Sequence, residues 1–191
     1  MQYRRAFIPG GSFFFTVVTA DREPLFTEQK NIVTLREAFR TVRSKRPFTL
    51  DAAVILPDHL HCIWTLPPDD ADFATRWRLI KTWFTKHCDS RGSSGYATLT
   101  RPTALHSKTD GARTAKREQT LWQHRYWEHM LRDETDYRRH VEYIHFNPVK
   151  HGYVKAPMDW PSSSFHRFVQ AGIYPPDWGG DVQELDGVGR E

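Results

Sequence analysis

Two runs of strand-forming residues, 48–56 (Phe-Thr-Leu-Asp-Ala-Ala-Val-Ile-Leu) and 59–66 (His-Leu-His-Cys-Ile-Trp-Thr-Leu), are separated by Pro57-Asp58 alone. A connection that short allows little except a tight turn between antiparallel neighbours. Helical periodicity brackets the pair. Before it, Ile32, Leu35, Phe39 and Val42 recur at helical spacing in a segment that Thr27 can cap and that ends near Arg46-Pro47. After it, Pro67-Pro68 stop the strand, and Phe73, Trp77, Ile80 and Phe84 form a second apolar stripe. Residues 13–20 make a strand ahead of the first helix. Leu121 to Leu131 reads as a fourth strand, with a further helix from about Glu134. The order β-α-β-β-α-β-α predicts an α+β, ferredoxin-like split βαβ fold: an antiparallel sheet with helices on one face.

At 191 residues the chain suits one domain. Residues 1–178 are assigned to it, including a Pro- and Trp-rich stretch at 157–178 that wraps the domain. Residues 90–118 are Gly, Ser, Thr and basic types without periodicity, as expected of a mobile loop. No run of eighteen apolar residues is present, so no transmembrane helix is predicted. The apolar run 13–18 is too short for a signal segment. Cys62 and Cys88 fit neither a disulfide framework nor a zinc pattern, and a reduced cytoplasmic setting is the default. The net charge is +4 and the pI about 9.1. From 179 to 191, four carboxylates against Arg190 give −3, leaving +7 on the body. A basic body suits a polyanion, though many solvated surfaces share it. The acidic, flexible tail is a candidate electrostatic brake on such binding, and a tail without a role is the simpler reading.

Two groups of residues can carry chemistry. His59 and His61 lie two apart on a strand, so both imidazoles leave one face while Leu60 enters the other. They can share a divalent metal, or they can be two polar residues on an edge strand. Further on, Tyr137, Val141 and Ile144 form the core stripe of the last helix. Tyr143 and Asn147, four apart, lie together on a flank roughly 100° from it. Pro148 disfavours helix at Asn147 and places both in an accessible last turn. That pair is either functional or a tyrosine held by a nearby amide. His140 and His145 are candidate proton carriers, with structural roles the simpler reading.

Pro57-Asp58-His59-Leu60-His61 resembles the His-hydrophobic-His motif of HUH endonucleases. Tyr143-Ile144-His145-Phe146-Asn147-Pro148-Val149-Lys150-His151-Gly152 resembles the tyrosine motif of REP-associated tyrosine transposases. The stretches 122–129 and 159–167 are similar to further blocks of that family, and the motifs fall in the family's order over residues 5–178. The resemblance implies Tyr143 as nucleophile, with His59, His61 and Asn147 as ligands of Mg²⁺ or Mn²⁺. It implies that single-stranded DNA beside a hairpin is nicked and rejoined through a 5′-phosphotyrosine. It also implies a monomeric, bacterial, nucleoid-associated protein. The chain departs at Asp58, where the wider group often has asparagine, adding charge beside the metal ligands.

DNA binding on this reading draws on Arg76, Arg78, Lys81 and Lys86 of the second helix, with Lys116 and Arg117. Two other functions compete. One is a ferredoxin-like nucleic-acid-binding module that does not cut. The other is a zinc-dependent hydrolase built on His59, His61 and His140.

Overall fold

The histidine pair opens an inner strand of a four-stranded sheet. β3 (His59–Thr65) pairs antiparallel with β1 (Ser12–Val18) on one side and with β2 (Thr49–Ile55) on the other. β4 (Trp127–Met130) closes the far edge against β1, giving the order β2-β3-β1-β4. This is the antiparallel split-βαβ sheet that the element order predicts. The computed structural model describes residues 8–88, 121–179 and 188. The predicted loop 90–118 and nearly all of the acidic tail, Gly179 and Val188 apart, lie outside the described residues.

The helices correct one expectation. α1 (Gln29–Lys45) and α2 (Phe73–His87) pack on one face, against Phe13, Phe15, Val17, Leu60, Cys62 and Trp64. α3 (Glu134–Lys150) packs on the opposite face, with Phe14, Ala52, Val54 and Ile63. The physical reason is visible in β1. Phe13-Phe14-Phe15 are all at most 1% exposed, so neither face of that strand can be left in water. A stack of Trp64 on Trp77 at 4.4 Å fastens α2 to β3, consistent with an aromatic-rich core.

Several boundaries also differ. α1 begins at Gln29 after Glu28, and the Thr27 hydroxyl donates to the Pro24 carbonyl instead of capping it. The expected fourth strand, 121–131, divides. Trp122 bridges to Thr19 beyond the end of β1, then exposed Gln123, His124 and Arg125 intervene before β4 starts at Trp127. The last helix does not stop at Asn147 but runs through Pro148 to Lys150. A proline in a last turn forfeits one helical hydrogen bond. The end is secured beyond it, by Tyr153 N–H donating to Pro148 O and Gly152 N–H to Val149 O, with Gly152 at φ 71°.

The stretch after α3 covers the β2 edge. Trp160 Nε1 donates to Ile55 O, Ile55 N to Ser162 O, and Ser164 N to Ala53 O, before the short helix α4 (Phe165–Gln170). An edge strand presents unpaired backbone groups that invite aggregation, and this segment satisfies them. Both cysteines are free thiols, Cys62 buried under α1 and α2. No helix among the described residues is long and apolar enough to cross a membrane.

Candidate active site

His59 and His61 are 1% and 0% exposed, because β3 is an inner strand whose other face α1 and α2 already cover. The edge-strand reading of these residues therefore fails. Their ring centroids are 4.9 Å apart. Burying an imidazole costs free energy unless its polar atoms are engaged, and both Nδ1 atoms are. His59 Nδ1 lies 2.6 Å from Asp58 Oδ1, and His61 Nδ1 lies 2.9 Å from the Thr16 hydroxyl. A carboxylate can only accept, so His59 donates from Nδ1, and in the neutral ring the lone pair then lies on Nε2. That is the orientation a metal-ligating histidine adopts when a neighbouring carboxylate holds the other nitrogen.

Asp58 is held in turn. Its Oδ2 accepts from Arg22 at 3.1 Å, and the hairpin places its main chain under Thr19. Burial works against the Asp58 charge, but the hydrogen bonds from His59 and Arg22 outweigh it and keep the carboxyl below its ordinary range. The charge that distinguishes this chain at position 58 is thus shared with an arginine and a histidine.

α3 brings the tyrosine to the same face. The Tyr143 ring packs edge-on against His61 at 5.3 Å, with Phe14 beside both. The expectation of an accessible last turn is corrected here: Tyr143 is 2% and Asn147 0% exposed. From the flank that diverges from the core stripe, Tyr143 faces His61 rather than solvent. Exposed Lys150 donates from Nζ to the Tyr143 hydroxyl at 3.2 Å and lies 4.8 Å above its ring. Sequence reasoning assigned no role to this lysine. The signal was present, since seven residues return to nearly the same side of a helix (about −20° at roughly 100° per residue). His151, 5.3 Å from His59 between ring centroids, is a second residue that reasoning from the motif passed over.

His140 and His145 occupy other environments. His145 Nε2 meets the Ser164 hydroxyl at 2.8 Å, and burial pushes the imidazole down to about 3, a neutral tie between α3 and the edge-covering segment. His140 packs against Phe14 and converges with His129 and Asp136 rather than with His59 and His61. The three-histidine zinc cluster of the hydrolase reading is not assembled.

The basic residues of α2 separate into two kinds. Arg76 is 1% exposed and donates to the Asp70 carboxylate and to the carbonyls of Arg46, Pro47 and Asp72. It is a structural clamp, not a DNA contact, because its guanidinium is consumed fastening the α1–β2 turn to the start of α2. Arg76→Ala is expected to cost about 2 kcal/mol of stability, since it removes the buried guanidinium that ties the α1–β2 turn to α2 while its partly exposed acceptors can turn to water, and to leave the DNA affinity of the folded protein unchanged. Denaturant midpoints and gel shifts check this; unchanged stability with lost binding would restore Arg76 to the interface. Arg78 and Lys86 are exposed. Lys81 and Lys86 line a cavity of about 470 Å³ with Trp122, Gln123 and His124. Lys81 sits 5.6 and 5.3 Å over the Trp122 and Tyr126 rings, and burial lowers its ammonium to about 8. Lys116 and Arg117 lie outside the described residues.

Fold and site define a class: an antiparallel α+β protein with a buried His-x-His pair facing a helix-borne tyrosine. Known proteins make the assignment specific. A REP-associated tyrosine transposase from Escherichia coli is 45% identical over 96% of this chain and 94% of its own length. A relative of the same family name from Haemophilus influenzae is 42% identical over 94% of this chain and 93% of its own. The solved structure of a REP-associated tyrosine transposase bound to a REP hairpin has a TM-score of 0.76 and 43% identity, covering 100% of this chain and 98% of that one. No protein-family model matches the chain. The chain belongs to the REP-associated tyrosine transposase family, and is a DNA-processing protein of the transposase class.

Proposed function

We propose that this protein nicks and rejoins single-stranded DNA beside a REP-type hairpin, with Tyr143 as nucleophile and His59, His61 and Asn147 holding one divalent cation. The observation that carries the reading is the Tyr143 ring against His61, with an ammonium donor on the tyrosine oxygen. The hairpin comes from the similar protein solved in that complex.

The donor set suits Mg²⁺ or Mn²⁺. Two imidazoles fixed through Nδ1 and one amide oxygen leave coordination positions for water and a phosphate oxygen, and the nitrogen donors favour Mn²⁺ over Mg²⁺. When bound, the cation polarises the scissile phosphate and offsets charge in the transition state. The chain's own residues do the rest. The Tyr143 oxygen forms a bond to phosphorus as the bond to the 3′ oxygen breaks. The phenolic proton leaves, and the departing oxygen ends as a 3′-hydroxyl. Rejoining reverses each change, with a 3′-hydroxyl attacking and the phenolate leaving. Lys150 stabilises negative charge on that phenolic oxygen in both directions. Nucleophile and histidine pair meet within one chain, so a monomer suffices. Exposed Arg78, Lys86 and the Lys81 cavity supply phosphate contacts on α2.

A hairpin oligonucleotide with a short 5′ single strand tests the reading. Cutting is expected with Mg²⁺ or Mn²⁺ and not in chelator. Lys150→Met is expected to slow single-turnover cutting about 10²-fold, with Lys150→Arg recovering most of it. Equal cutting by the Met variant removes Lys150 from the mechanism. Tight hairpin binding without any cut, under every metal, returns the protein to the binding-module class.

A further inference from the structure

We propose that His129, Asp136 and His140 form a second divalent-cation site, separate from the His59–His61 pair, that takes a borderline ion such as Zn²⁺ and clips β4 to the start of α3. The inference stands on these residues alone and does not depend on the DNA chemistry proposed above.

His129 comes from β4, while Asp136 and His140, four apart, share one face of α3. One ligand atom from each falls within 4.8 Å of the other two, and no other trio of His, Cys, Asp or Glu among the described residues converges in this way. Each carboxylate oxygen of Asp136 has an imidazole nitrogen beside it. His129 Nε2 is 3.0 Å from Oδ2, and His140 Nδ1 is 3.2 Å from Oδ1. The two rings lie nearly parallel, 4.8 Å apart at 17°. Such a trio needs only modest side-chain adjustment to bring all three donors to the roughly 2.1 Å that zinc takes from nitrogen and oxygen. His140 Nδ1 also donates to the Asp136 carbonyl at 2.7 Å. Ligation through Nε2 keeps that bond, the usual support for a metal-bound histidine; ligation through Nδ1 exchanges it for the cation.

Two imidazoles and one carboxylate are the donors of an open zinc site. Mg²⁺ and Ca²⁺ ask for more oxygens than this cluster offers. Burial opposes ionisation of Asp136, but hydrogen bonds from His129 and Arg132 outweigh it and hold the carboxyl at about 2. Burial moves the His140 imidazole below its ordinary range. Arg132, 3.1 Å from Asp136 Oδ2, and Arg139 oppose a cation, as does the positive end of the helix. Asp133 at the N-cap and Glu134 in the first turn offset them. A bound ion would join β4 to the helix that presents Tyr143 one turn further along, and so fix the depth of that helix over the sheet.

The test uses the full chain with His59→Ala and His61→Ala, which removes the competing pair. After equilibration with Zn²⁺ and gel filtration, the metal retained is measured by mass spectrometry. One equivalent per chain is expected, with a rise in Tm of ~3 °C on adding Zn²⁺. Adding Asp136→Asn, which keeps the side-chain shape, is expected to abolish both. Retention of no zinc by the double variant overturns the proposal, and so does the same equivalent retained after Asp136→Asn. Should the double variant not fold, the otherwise unaltered chain and its Asp136→Asn form decide the matter: a fall of one equivalent supports the site, and an unchanged count refutes it.

Discussion

Tyr143→Phe is expected to bind the hairpin as the unaltered protein does and to lose cutting by on the order of 10³-fold or more. The change deletes one oxygen from a side chain that packs against Phe14 and His61 through its ring, so the core survives. The lost hydrogen bond from Lys150 costs about 1 kcal/mol of stability. Binding and cutting thus separate in a single variant. A Tyr143→Phe protein that still cuts at a comparable rate would move the nucleophile elsewhere.

His59→Ala and His61→Ala are each expected to lower metal-dependent cutting on the order of 10²-fold or more, and added Mg²⁺ or Mn²⁺ is not expected to rescue either. Asn147→Ala is expected to raise the metal concentration needed by less, because a neutral amide oxygen is the weakest of the three donors. The histidines sit fully inside the fold, so each Ala variant also loses stability, and His→Gln at the same positions separates folding from ligation. Titrating activity against metal reads out the ranking. An Asn147→Ala protein with an unaltered metal requirement would strike it from the ligands.

The sheet order was legible because the two-residue connection at Pro57-Asp58 and two helical stripes leave few other arrangements. The side on which α3 packs was less so. Its expectation came from the element order, while the deciding signal was the unbroken Phe13-Phe14-Phe15 run, which demands cover on both faces. That His59 and His61 share one strand face, and that Tyr143 and Asn147 share one helix flank, could be read from spacing, since strand and helix periods are rigid, while the roles given to them came from the family resemblance. Their burial could not, because it depends on β3 being inner and on α3 lying across it. Arg76 shows the same limit from the other direction. A basic residue in a helix looks like a surface charge in sequence, and only the fold brings Asp70 and three carbonyls to its guanidinium. Lys150 was hidden for a simpler reason. Its value depends on its reaching back to Tyr143 across the turn containing Pro148, where the chain was expected to have left the helix.

The central claim is a covalent tyrosine link, and one gel tests it most directly. A 5′-flanked hairpin labelled 3′ of the scissile bond is incubated with the protein and Mn²⁺, then denatured and electrophoresed. The account predicts a labelled band at the combined mass of protein and oligonucleotide fragment, absent with Tyr143→Phe, whose digest places the nucleotide on the Tyr143 peptide of the unaltered protein. Cut DNA with no labelled protein band, or a band that persists in the Phe variant, would contradict it.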